Sequence, residues 1–124
     1  MRVIIAGSRH FESQYAMSLV SAAIRESGFE ITEVIHGAAR GIDLAADSVC
    51  RGVHPIRVFP AEWGKYGNRA GPIRNAQMAD VADALILVWD GQSRGSKNML
   101  ETARRKGLVV FEKVVRVDHG EGVL

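Results

Sequence analysis

The sequence predicts an α/β protein, a three-layer sandwich in which helices cover both faces of a parallel sheet of about five strands. Three observations predict it. Apolar, β-rich runs alternate with segments of helical period along the chain. The runs are apolar at nearly every position, as in ALILVW, which is the pattern of strands buried on both faces. The intervals between runs each hold one helix, the right-handed crossover that joins parallel strands.

Taken in order, the strands are expected at Val3–Ala6, Ile31–Ile35, Ile56–Phe59, Leu85–Trp89 and Leu108–Val115. The first helix is expected from Ser13 to Ser27, with Met17, Val20 and Ile24 on one face and Gly28 as its stop signal. A second runs from Ile42 to Arg51 and ends at Gly52. Cys50 falls on the apolar face of that helix with Ile42, Ala45, Ala46 and Val49, and is read as a small core residue. A third helix opens at Gly71-Pro72, proline suiting a helix start, and runs to Val81. The fourth opens at Gly95-Ser96, runs to Lys106 and is closed by Gly107. The stretch PAEWGKYGNRA is the longest read as irregular, and a loop of that length in a small domain points to function. Residues 1–117 read as one domain and 118–124 as a flexible tail.

Composition narrows the function classes. With 124 residues, 47% hydrophobic and 24% charged, the chain can bury a single core without staples. No run reaches the roughly 18 apolar residues of a membrane span, and the start carries no signal-peptide pattern, so a cytoplasmic protein without a membrane partner is expected. One cysteine excludes a disulfide framework. The four histidines lack metal-ligand spacing, so neither metal nor cofactor is expected. A net charge of +2 is too small to identify a nucleic-acid protein. Self-association into a homo-oligomer is compatible with this composition.

Placement of the basic residues carries the functional signal. In a parallel sheet the strand-to-helix loops emerge on one edge, where ligands bind. The first loop supplies Gly7, Ser8 and Arg9; the second, HGAARGID, supplies Gly37, Arg40 and Gly41. The third supplies Arg69, then Arg74 and Asn75 at the start of its helix. The fourth supplies Asp90, Gly91, Arg94, Gly95, Ser96 and Lys97. Cations in the first turn of a helix oppose its dipole, by roughly 0.3–1 kcal/mol, unless an anion completes the arrangement. A phosphate-bearing ligand is therefore expected, with Arg40 as one wall of its pocket and the loop glycines allowing close backbone approach. On the same reasoning, removing Arg74 is expected to leave stability unchanged or slightly raised. Asp43 reads as a dipole-stabilised acid, and Asp90 as a holder of a ribose hydroxyl. Neither GxGxxG nor GxxxxGK[ST] is present, so the common dinucleotide and P-loop readings are disfavoured.

In the order AGSRHF, HGAARGIDLAA, FPAEWGKYGNRAGPIRNAQM and ADALILVWDGQSRGSKNMLETA, nearly the whole chain resembles the SLOG superfamily of Rossmann-like nucleotide-binding domains. It is most similar to the YspA-like branch of bacteria and phages. The resemblance implies a Rossmann-like sandwich and a nucleotide or nucleotide-derived ligand, such as a nucleoside monophosphate or an ADP-ribose-like molecule, held by a sensor, carrier or sequestering module. Related Lonely Guy phosphoribohydrolases imply a second reading, N-glycosidic hydrolysis, with Arg74 in RNAQM matching their catalytic arginine. Their catalytic glutamate follows a GGxGT motif; here the equivalent run is SRGSKNM, which puts Met99 at the glutamate's place. Glu101 and Asp90 are the remaining candidate acids, although Glu101 is also placed to pair with Lys97 at i,i+4. DprA, whose helix opening resembles GAARGIDLAA, implies a third reading, in which Trp63, Tyr66 and the loop cations bind single-stranded DNA.

Overall fold

A computed structural model describes residues 1–116; the expected tail at 118–124 lies outside the described residues. Five strands form one all-parallel sheet: β1 (Arg2–Gly7), β2 (Glu33–His36), β3 (Ile56–Val58), β4 (Ala84–Trp89) and β5 (Val109–Val114), in the spatial order β3-β2-β1-β4-β5. The helices are α1 (Ser13–Ser27), α2 (Ile42–Cys50), the single turn α3 (Trp63–Tyr66), α4 (Ala70–Val81) and α5 (Arg94–Arg105). This is the α/β three-layer Rossmann-like sandwich the sequence predicts.

Strand periodicity builds two cores from the same chain segments. Val3 and Ile5 of β1, with Ala84, Ile86 and Val88 of β4, pack into one core with α1 and α2. Their neighbours Ile4, Ala6, Leu85, Leu87 and Trp89 enter the opposite core with Met78 and Ala79 of α4 and Met99, Leu100 and Ala103 of α5. Successive side chains point to opposite faces, so a strand covered on both sides must be apolar throughout. Each fully buried Leu or Ile contributes roughly 1.5–3 kcal/mol. Cys50 belongs to the α1–α2 core, as its helical position predicts.

Local signals fix most boundaries. The Glu12 carboxylate accepts from the Gln14 and Tyr15 amides at 2.9 and 3.1 Å, which caps α1, and Gly28 closes it at φ 68°. The stretch expected to be irregular differs. Trp63–Tyr66 forms a helical turn, with the Lys65 and Tyr66 amides donating to the Glu62 carbonyl, and Gly67–Arg69 continues as a 3-10 turn into α4. Gly64, Gly67 and Pro72 interrupt the apolar period there, which hides a helix from a pattern reading. As a result α4 starts at Ala70, and Arg74 lies beyond its first turn.

The chain leaves β1 toward β2 and β3 on one side, and returns through α4 to β4 on the other. The C-terminal ends of β1 and β4 are thus the switch point of the sheet, where the flanking loops part and leave a crevice.

Candidate functional site

A cleft of about 510 Å³ opens at that switch point, within the 300–1,000 Å³ typical of small-molecule sites. Ala6, Met78 and Met99 contribute apolar walls, and Gly7, Ser8 and Arg9 come from the loop after β1. Helix α4 adds Gly71, Arg74 and Asn75, and the start of α5 adds Arg94, Gly95, Ser96 and Asn98. Trp63, half exposed, stands at the rim, with the Arg9 guanidinium 5.8 Å from the centre of its ring.

Two loops are tied together beneath the cleft by Ser8. Its buried hydroxyl lies 3.0 Å from that of Ser93 and accepts the Asp90 amide at 3.2 Å. Asp90 in turn uses one carboxylate oxygen to accept from the Gln92 and Ser93 amides and the Ser93 hydroxyl, each at 2.9 Å. Burial pushes this carboxyl up, but those three donors and nearby His10 outweigh it and bring it to about 2. Asp90 therefore organises the turn into α5 and does not line the cleft. Among the described residues, the amides of Arg94, Gly95 and Ser96 donate to no backbone or side-chain acceptor. They are the unpaired donors that begin every helix, and here they adjoin the cleft.

Arg74 is the deepest cation. Only 8% exposed, it donates from Nη1 to the carbonyls of Gly37 (2.6 Å) and Phe59 (3.4 Å), and from Nε to Oδ1 of Asn75 (3.0 Å). A Cβ on Gly37 would overlap this guanidinium, so that glycine makes room for Arg74 and not for a ligand. Gly7 and Gly41 likewise give way to the protein itself, Gly7 to the Val88 carbonyl and Gly41, at φ 77°, to Ser8 and Arg9. Burial pulls Arg74 below the usual guanidinium value and the field of Asp43 opposes it; a guanidinium stays charged at neutral pH. The expectation that Arg74 lies in the first turn of its helix is corrected: it lies beyond that turn and braces α4 against the loop after β2.

Asp43 is the residue whose role the sequence reading missed. It is buried, and its Oδ2 accepts from the Gly37 amide at 3.0 Å and the Ala39 amide at 3.4 Å. Burial raises its carboxyl above the ordinary value, against the pull of Arg74 and the two amides. An acid in the first turn of a helix has a sufficient local explanation, and nothing in the sequence says that this one turns inward to the cleft.

The loop 37–41 is held from its other side by His36. Nδ1 of this buried ring accepts the Ala38 amide at 3.0 Å, so Nε2 carries the proton and donates to Asp47 at 2.7 Å. The bond supports Ala38 at φ 60°, an uncommon conformation for a residue with a Cβ. Arg51 closes the chain with two bonds of 2.7 Å to Asp47, and with His36 holds that carboxyl down at about 2. Asp47 and Asp90 thus sit well below the ordinary 3.8. A depressed carboxyl contributes stability that is complete above its unfolded value and lost as pH falls through its folded one, roughly 2 kcal/mol for each. Stability should therefore fall steeply between about pH 4 and 2, with Asp43 opposing the trend because its folded form binds a proton more readily. Urea titrations of Asp47→Asn should show a shallower acid decline; a decline identical to that of the unaltered protein would contradict the assignment.

The expected site residues fall into three groups. Gly7, Ser8, Arg9, Arg74, Asn75, Arg94, Gly95 and Ser96 come together around the cleft. Arg40 and Gly41 instead line a separate groove between α1 and α2, with Arg9 shared between the two, so Arg40 is not a wall of the central cleft. Arg69, Lys97, Asp90, Gly91 and Gly37 line neither. Glu101 is exposed and forms no ion pair with Lys97 among the described residues. Met99 is 1% exposed and adds its side chain both to the core and to the cleft wall. Among the described residues no group of three His, Cys, Asp or Glu side chains could hold a metal ion, and no helix is long and apolar enough to cross a membrane.

No protein-family model matches the chain. It is 30% identical over 118 residues to the Gene 61 protein of Mycobacterium phage D29, an alignment covering 89% of this chain and 94% of that protein. The chain belongs to the same family as this phage protein.

Proposed function

We propose that this member of the Gene 61 family binds a phosphorylated nucleoside or nucleotide derivative in the central cleft, as a SLOG-like sensor, carrier or sequestering module. One observation carries the reading: the unpaired amides of the first turn of α5 and three guanidiniums, Arg9, Arg74 and Arg94, meet at one cleft with an aromatic ring on its rim. Backbone donors and guanidinium forks suit a phosphate. Trp63 suits the face of a base, since stacking is tolerant of base identity. Nη1 and Nε of Arg74 are occupied within the protein, while Nη2 has no partner among the described residues and is left to the ligand.

Binding without turnover is favoured over N-glycosidic hydrolysis. An oxocarbenium-like transition state needs a carboxylate to stabilise charge or activate water. By the resemblance Met99 takes the place of the Lonely Guy glutamate, and Glu101 is exposed. Asp43, the one carboxylate lining the cleft among the described residues, sits on a different helix from that motif and is held by the Gly37 and Ala39 amides.

Calorimetric titration with nucleoside monophosphates, ADP-ribose and oligo-dT of increasing length separates the readings. Saturable binding of the small ligands is expected, with no gain from strand length beyond a few nucleotides and a small salt slope. Affinity that climbs across about 10 nucleotides with a steep salt slope would instead support a single-strand groove. Rapid release of free base would mean that the protein is a hydrolase.

A further inference from the structure

The cleft is rich in cationic donors and poor in anionic acceptors. Its cations are Arg9, Arg74 and Arg94, and the start of α5 adds backbone N–H groups. Among the described residues lining it, the only carboxylate is Asp43. Both backbone bonds to Asp43 go to Oδ2; among the described residues Oδ1 takes none. No side-chain oxygen or nitrogen sealed from solvent lacks a partner among the described residues. The unpartnered Oδ1 is therefore the open atom of a side chain that is 4% exposed and lines the cleft wall. Arg74 has a field that bears on this carboxylate, yet the two form no direct ion pair, so the guanidinium does not consume Oδ1. The other carboxylate near this edge, Asp90, is already committed to the turn before α5.

A fixed acceptor with one open oxygen selects a ligand that presents a hydroxyl donor. A phosphate at neutral pH is anionic and would be repelled by this carboxylate at close range, which keeps the phosphate toward α5 and Arg94. The sugar lies between phosphate and base in any nucleotide, and it carries the hydroxyl donors, whereas base N–H groups lie farther out toward the Trp63 rim. We infer that Asp43 Oδ1 accepts a ribose hydroxyl of the bound nucleotide, so that the cleft prefers ribonucleotides to their deoxy counterparts. This rests on the nucleotide reading above and narrows its substrate class.

The test compares adenosine monophosphate with its 2′-deoxy and 3′-deoxy forms by calorimetry on the unaltered protein. At least about tenfold weaker binding is expected for one deoxy form, the scale for a hydrogen bond to a charged group. In Asp43→Asn, whose amide oxygen can still accept from Gly37 and Ala39, that preference should shrink to about twofold or less if one charged acceptor carries it. Should the variant fail to fold, the unaltered protein labelled with carboxyl-¹³C aspartate supplies the second measurement. The Asp43 carboxyl resonance should move on adding the ribonucleotide and move less with the discriminated deoxy form. Equal affinity for all three monophosphates, or an Asp43 resonance indifferent to the sugar, would overturn the inference while leaving the nucleotide reading standing. No binding of any monophosphate would remove the nucleotide reading itself.

Discussion

Arg74→Ala is expected to destabilise the protein by about 3–5 kcal/mol, the cost scale for stranding a buried charge without its partner. The guanidinium is buried and ties three separated segments: the Gly37 carbonyl after β2, the Phe59 carbonyl after β3, and Asn75 on its own helix. Its removal leaves those acceptors without donors, opens a cavity, and takes from Asp43 the principal cation whose field offsets burial. Each term has the same sign. The gain from removing a cation near a helix start is at most about 1 kcal/mol, and Arg74 lies beyond the first turn where that effect acts. Arg74→Lys should recover part of the loss, since it keeps the charge without the fork that reaches both carbonyls. Urea unfolding of Arg74→Ala within about 1 kcal/mol of the unaltered protein would show that the brace is unimportant and that the residue serves the ligand alone.

Gly95→Asp is expected to separate binding from folding. A Cβ at Gly95 meets nothing within 4 Å, so the larger side chain has room. A carboxylate there joins the first turn of α5, where an acid is stabilising by roughly 0.3–1 kcal/mol. The melting temperature should hold or rise slightly. Ligand affinity should move the other way, because the new charge stands where the phosphate is proposed to sit. Like charges at close range cost several kcal/mol, which corresponds to at least about a 100-fold loss. Unchanged nucleotide affinity in a folded Gly95→Asp protein would place the phosphate elsewhere.

These two residues show why part of the site was legible and part was not. The edge on which the loops gather follows from strand–helix alternation, and Arg9, Arg74, Arg94, Gly95 and Ser96 were all found that way. The direction of each side chain does not follow. Arg9 and Arg40 come from successive loops of the same edge, yet Arg9 lines both the cleft and the α1–α2 groove while Arg40 lines only the groove. Gly37 and Gly41 look like ligand-approach glycines because their sequence context is that of a phosphate loop; their actual neighbours, Arg74 and the backbone of Ser8 and Arg9, come from elsewhere in the chain. Asp43 was legible only as a helix-start acid, because its two partners, Gly37 and Ala39, are amides of a turn whose shape depends on His36 and on a left-handed Ala38. The fold was read more fully for a physical reason: burial on both faces constrains every strand position, whereas a site needs only a few residues from each loop.

The proposed nucleotide occupies the cleft between the start of α5 and the Trp63 rim. Amide-resolved NMR titration with adenosine monophosphate tests this placement most directly, because it reports binding and location together. Saturable shifts of the Arg94, Gly95 and Ser96 amides and of the Trp63 indole N–H are expected, with the Arg40 side little changed. Shifts confined to the Arg40 groove, or none at millimolar nucleotide, would contradict the placement.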